Sequence, residues 1–120
     1  MTVNKRKTGA HYEEIAAAEL GKRGYRILTR NFYSRAGEID IVAREGGYLV
    51  FVEVKYRTKK SSGTPEEAVG HSKQVRICRA ALYYITRFRI PQDTPVRFDV
   101  VAVEPDEIRV VQNAFDFIMK

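Results

Sequence analysis

The segment Leu49-Val50-Phe51-Val52-Glu53-Val54-Lys55 decides how this chain folds. Apolar residues fill both alternating faces at its start, which is the pattern of a central strand covered on each side. Val50, Val52 and Val54 point one way; Leu49, Phe51, Glu53 and Lys55 point the other. A carboxylate and an ammonium therefore share one face, about 6.6 Å apart along the strand. Burying such charges without partners costs on the order of several kcal/mol. Something must compensate.

The whole strand is expected from Tyr48 to Tyr56, and Gly37 to Arg44 reads as the strand before it. Glu45-Gly46-Gly47 between them is a tight turn, since adjacent glycines reach positive φ at low steric cost. The two strands should pair as an antiparallel hairpin. In the first of them, Ile39, Ile41 and Ala43 alternate with Glu38 and Asp40. A hairpin that sets Asp40 beside Glu53 brings two carboxylates together, and these repel unless protonated or bridged by a cation. Mg²⁺ commonly takes one or two carboxylates together with waters and phosphate oxygens. Lys55 could then hold or activate an attacking water, or neutralise charge developing on a phosphate. A simpler reading pairs Glu53 with Lys55 at the strand end and leaves Asp40 in solvent. The pattern alone leaves both open.

Outward from the hairpin, Thr8 to about Arg23 reads as a helix. At 100° per residue, Ile15, Ala16 and Leu20 fall within about 80° of Tyr12. Glu13 lies at the edge of that apolar face, about 100° from Tyr12. Glu19 falls within it, so the wheel does not choose between them. Gly24 is a C′ stop, and Tyr25 to Thr29 is a short strand. Beyond the hairpin, Arg57 to Gly63 is a basic loop. A second helix is expected to start at a capping box, with Thr64 as N-cap, Pro65 at N1 and Glu67 at N3. Ala68, Val75, Cys78, Leu82 and Ile85 give its apolar stripe, and it should run to about Phe88. Val96 to Val103 and Glu107 to Gln112 make two more strands, with a short ordered tail after them. The order α-β-β-β-α-β-β indicates one α/β domain over 1–120, a mixed sheet flanked by helices.

Composition narrows the function. The 120 residues carry 44% apolar and 30% charged types, with 21 Lys+Arg against 15 Asp+Glu, a formal net charge of +6. That excess favours anionic partners, nucleic acid first among them, or is simply a basic surface. One cysteine, Cys78, excludes an intrachain disulfide and a CxxC zinc site. No run approaches the roughly 18 apolar residues of a membrane helix, and the polar start is no secretory signal. A cytoplasmic protein without membrane association is the expectation. Arg57, Lys59, Lys60, Lys73 and Arg76 are candidate phosphate contacts. Lys73, Arg76 and Arg87 share a sector of about 60° on the second helix, either a nucleic-acid-facing stripe or an ordinary solvated face. Asp99 is expected to pair with an arginine. His11 and His71 have no ligand spacing and read as structural.

Gly37-Glu38-Ile39-Asp40-Ile41-Val42-Ala43 followed by Leu49 to Arg57 resembles the hallmark of the bacterial YraN-like family of predicted endonucleases. The resemblance extends to Gly9 to Glu13 with Ala16 and Leu20, to Gly24-Tyr25-Arg26-Ile27-Leu28 and Asn31, to Lys73 and Ala81, and to Arg97-Phe98-Asp99-Val100-Val101. That family is similar to the PD-(D/E)xK, restriction-endonuclease-like superfamily, and most closely to archaeal Holliday-junction resolvases. The resemblance implies a restriction-endonuclease-like fold and a Mg²⁺- or Mn²⁺-dependent endonuclease acting on DNA, with branched or junction DNA among the candidate substrates. It implies Asp40 and Glu53 as metal ligands, Lys55 as the catalytic lysine and Glu13 as a helix-one glutamate of the site. Ile39 stands where the superfamily has a proline. The alternative is a catalytically silent DNA-binding or DNA-processing module with the same fold. A homodimer, as in the resolvases, and a protein partner in DNA repair or recombination are both compatible with this resemblance.

Overall fold

The computed structural model describes residues 5–57 and 64–118, with the side chains of 5–8 and of Glu66 left aside. Helix α1 spans Lys5–Lys22, followed by strands β1 (Arg26–Ser34), β2 (Gly37–Glu45) and β3 (Tyr48–Tyr56). A 3₁₀ turn at Glu66–Ala68 leads to α2 (His71–Arg87), then β4 (Val96–Val103) and β5 (Ile108–Phe115). The five strands form one sheet in the order β1-β2-β3-β4-β5. All neighbours are antiparallel except β3 and β4, which run parallel. A parallel pair needs a crossover, and α2 supplies it. The expected arrangement, a mixed sheet with two helices in the order α-β-β-β-α-β-β, is what the chain adopts.

Strand β3 is central, and its two faces feed two cores. Leu49 and Phe51 join Val42, Phe98, Val100 and the buried side of α2. Val50 and Val52 join Ile41, Ala43, Val101 and Val103 under Ala16 and Leu20 of α1. Gly46 and Gly47 take φ of 56° and 84°, so the β2–β3 turn has the double positive φ that its sequence requested. Helix α1 ends at a Schellman motif. The Tyr25 N–H donates to the Leu20 carbonyl at 3.0 Å and Gly24 N–H to Gly21 at 3.1 Å, while Gly24 sits at φ 91°.

Four local expectations need correction. The second helix does not start at Thr64. The Glu67 carboxylate does reach back to the Thr64 N–H and hydroxyl, at 3.2 and 2.9 Å, but this closes only the 3₁₀ turn. Buried Val69 and extended Gly70 then interrupt the run, and α2 is capped by Gly70. Leu82 is 42% exposed rather than part of the stripe; Ile77, Cys78, Ala80, Ala81 and Tyr84 are buried instead. Strand β1 runs on to Ser34, because Phe32 is drawn into the α2-side core. Finally, Ile39 does not share a face with Ile41 and Ala43. It joins the α2-side cluster with Val42, so the alternation of β2 breaks between them.

Candidate functional site

That break is where Asp40 sits. The β2–β3 ladder pairs Glu45↔Tyr48 through Ile41↔Val52 and stops there. One step further, the Asp40 carboxylate accepts the Val54 N–H at 2.8 Å. A side-chain oxygen thus takes over a ladder hydrogen bond and holds Asp40 against β3. Glu53 lies beside it, close enough for its charge to act on Asp40. Burial, reinforced by the Glu53 charge, pushes the Asp40 pKa up to about 8, against the pull of the Val54 N–H. Near neutral pH the pair therefore holds a proton.

Glu53 is 5% exposed and is flanked by two ammonium groups. Lys55 Nζ and Lys73 Nζ each lie 3.4 Å from its Oε2. Lys55 follows on the same face of β3, as alternation demands. Lys73 comes from the first turn of α2, on the side of the helix that faces this end of the sheet.

Glu13 approaches from α1. Its Oε1 is shielded from solvent and has no hydrogen-bond partner among the described residues. Burial raises its pKa; Arg30 and a hydrogen bond with Asn31 oppose this, and Glu38 and Glu53 add to it. The competing candidates on the same helix are engaged elsewhere. Glu14 pairs with Arg30 at 2.8 Å, and Glu19 pairs with Arg23 at 2.9 Å. The structure thus brings Glu13, Asp40, Glu53 and Lys55 to one end of the sheet, with Lys73 joining them.

The other candidate phosphate contacts disperse. Arg57 donates to the Thr64 carbonyl at 2.7 Å and lies 3.5 Å from buried Glu104. Arg76 is exposed beside the start of β2, where a Cβ on Gly37 would lie 3.8 Å from Arg76 Cβ. Arg87 lies over the Phe88 ring at 5.5 Å. Lys59 and Lys60 fall outside the described residues. Asp99 pairs with Arg97 through two 2.9 Å contacts and also accepts from the Tyr25 hydroxyl and the Asn113 N–H.

The residue types at this end fit a hard divalent cation. Asp40, Glu53 and Glu13 offer oxygen donors only, a donor type that suits Mg²⁺ or Mn²⁺ rather than a thiophilic metal. Among the described residues, no three His, Cys, Asp or Glu side chains are grouped so that they could hold a metal ion. Two contacts have no signal in the sequence: that of Lys73 with Glu53, and a tyrosine stack. Lys73 was placed on a solvated or nucleic-acid-facing sector, although it stands one turn before buried Ile77 and so overhangs the core edge. The second is the stacking of Tyr12 on Tyr56, which no local pattern signals.

A mixed five-stranded α/β sheet, carrying an acidic pair and two lysines at the end of its central hairpin, defines the structural class. Sequence comparison gives the family. The profile described as Uncharacterised protein family UPF0102 matches residues 12–103, and the chain belongs to that family. A UPF0102 protein of Lachnoclostridium phytofermentans is 55% identical over 114 residues, covering 95% of this chain and 97% of the relative. One from Symbiobacterium thermophilum is 48% identical over 115 residues, with 92% and 97% covered. One from Syntrophus aciditrophicus is 47% identical over 120 residues, with 97% and 93% covered. No helix of the described residues is long and apolar enough to cross a membrane.

Proposed function

We propose that this chain is a Mg²⁺- or Mn²⁺-dependent endonuclease of the restriction-endonuclease-like type, acting on DNA. The observation that carries this reading is the Asp40–Glu53 pair. Two carboxyl groups are held together at a break in the ladder, beside a lysine on the same strand face. A purely structural role would not require a carboxyl with its pKa raised to about 8 in that place. Asp40 and Glu53 would hold the ion, and Glu13 would add its unpaired oxygen. When bound, the ion would polarise a phosphoryl oxygen and lower the pKa of an attacking water. Lys55 would orient that water or neutralise charge on the phosphate, and Lys73 would screen Glu53 until the ion binds. Mass action on Asp40 then makes ion binding release a proton below about pH 8.

The test is cleavage of branched, flapped and linear DNA with Mg²⁺ or Mn²⁺, alongside Asp40→Ala and Lys55→Ala. Turnover by the wild-type chain that disappears in both variants is expected. Activity persisting in both would show the assignment to be wrong. One observation favours a second reading, a DNA-binding module without catalysis: Lys55 and Lys73 already balance Glu53 without any ion. That module would show salt-dependent DNA binding without turnover. Calorimetric titration with Mn²⁺ separates the two, since tight binding abolished by Asp40→Ala belongs only to the enzyme.

A further inference from the structure

An aromatic feature stands at the same end of the sheet, on its α1 face, and takes no part in the acid–base chemistry of the carboxylate pair. Tyr12 precedes Glu13 on α1, and Tyr56 follows Lys55 on β3. Their rings stack with centroids 3.9 Å apart and planes at 16°. His11 meets Tyr12 edge-on at 5.3 Å. Two distant segments thus each set a tyrosine next to a site residue, and the fold joins the two rings.

The stack could serve only to fasten α1 to the sheet. The core shows what such fastening looks like here: Phe51 and Phe98 also stack, and each is 1% exposed. Tyr56 is 46% exposed, so aromatic surface is left open to solvent on the α1 face of the sheet, across β3 from Glu53 and Lys55. An exposed ring supported from behind accepts a flat partner without demanding any hydrogen-bond pattern. Every nucleobase offers such a surface, but a base inside a duplex already has both faces covered. Only an unpaired or extruded nucleotide has a face to spare.

We propose that Tyr56, backed by Tyr12, the sequence neighbour of Glu13, stacks an unpaired nucleobase on the α1 face of the sheet end that carries the carboxylate pair, so that the chain selects polynucleotides with a single-stranded nucleotide at that point. The inference rests on the nuclease reading for its choice of ligand. It is a claim about binding, however, and needs no turnover. DNA and RNA share the base face, and the sugar does not enter the argument.

The experiment uses DNA and RNA oligonucleotides carrying 2-aminopurine, either unpaired in a flap or paired within a duplex, in buffer with chelator. The wild-type chain should quench the unpaired probe and leave the paired one nearly unchanged. Tyr56→Leu should weaken binding of the unpaired probe on the order of tenfold, with duplex binding unaltered, while Tyr56→Phe retains the ring and the affinity. A response from either polymer supports the proposal. No quenching from either, or equal quenching of paired and unpaired probes, overturns it. Should Tyr56→Leu fail to fold by circular dichroism, the wild-type contrast between probes still decides. A parallel Mn²⁺ cleavage assay keeps the two readings apart. Turnover without a stacking response removes the platform and leaves the nuclease; stacking without turnover keeps the platform and removes the nuclease.

Discussion

At Asp40 a side-chain carboxylate does the work of a backbone carbonyl, and its protonation is coupled to folding. Its pKa is about 8 in the folded chain against 3.8 for an ordinary aspartate. The folded state therefore holds a proton that the unfolded state has lost. Stability is unaffected by this group below about pH 4, falls as pH rises toward 8, and stays at its reduced level above that. Asp40→Asn keeps an acceptor for the Val54 N–H and removes the penalty. Urea denaturation with chelator should show the variant more stable than wild type, by an amount that grows between pH 5 and pH 8 (roughly the window between the two pKa values) and reaches a few kcal/mol. Equal stability at all pH values would refute the shift. Mn²⁺ should reverse the order at pH 8: several degrees of added Tm for wild type at saturating ion, and none for Asp40→Asn. Asp40, Glu53 and Lys55 stood out in the sequence because charges interrupt apolar strands there. Lys73 did not, because a helical wheel assigns sectors without knowing how the helix tilts over the sheet.

The elements differ in how much of themselves they display. Strand β3 was readable because both faces are apolar, and its register with β2 followed from the Gly46-Gly47 turn. Strand β1 was not. Its exposure alternates between open and half-buried with Phe32 alone fully buried, and Asn31 takes φ of 55° within it. Polar Thr29 and Asn31 take half-buried positions, so its hydropathy shows no clear period of two. The start of α2 misled because Thr64 and Glu67 satisfy a capping pattern whose turn then goes nowhere. Thr64→Ala should accordingly cost no more than about 1 kcal/mol and leave the far-ultraviolet helical signal unchanged. A marked loss of helicity would mean that the turn nucleates α2 after all. Phe51 touches Tyr84 and Phe98 from the centre of β3. Phe51→Ala should lower the urea-derived stability by about 3–5 kcal/mol.

Across the whole molecule, one buried arginine ties the α1 side together. Arg97 on β4 contacts Asp99, Glu45 on β2 at 2.8 Å, and the Tyr25 hydroxyl at 3.2 Å, with its guanidinium 5.0 Å from the Tyr48 ring centre. Asp99 and Glu45 hold its pKa above the usual arginine value, although burial opposes them. Asp99→Ala would leave that cation with Glu45 as its remaining ion-pair partner, and should cost about 3–5 kcal/mol by thermal or urea unfolding. A cost near zero would show that the network is dispensable. The sequence pointed to an arginine partner for Asp99, but the convergence of four elements on it depends on topology that no local pattern carries. That topology has a single parallel joint, between β3 and β4, and the joint sets the order of assembly. Strands β2 and β3 meet through a two-glycine turn, a closure of microseconds, whereas β4 can pair only after α2 has crossed the sheet. The two carboxylates are thus brought together early, and Lys73, riding on α2, comes late. For that interval the nascent hairpin has Lys55 beside Glu53 but not Lys73. Refolding by stopped flow should therefore be faster with Mn²⁺ than with chelator, and Asp40→Asn should erase the difference; an unchanged rate would place hairpin closure after the rate-limiting step.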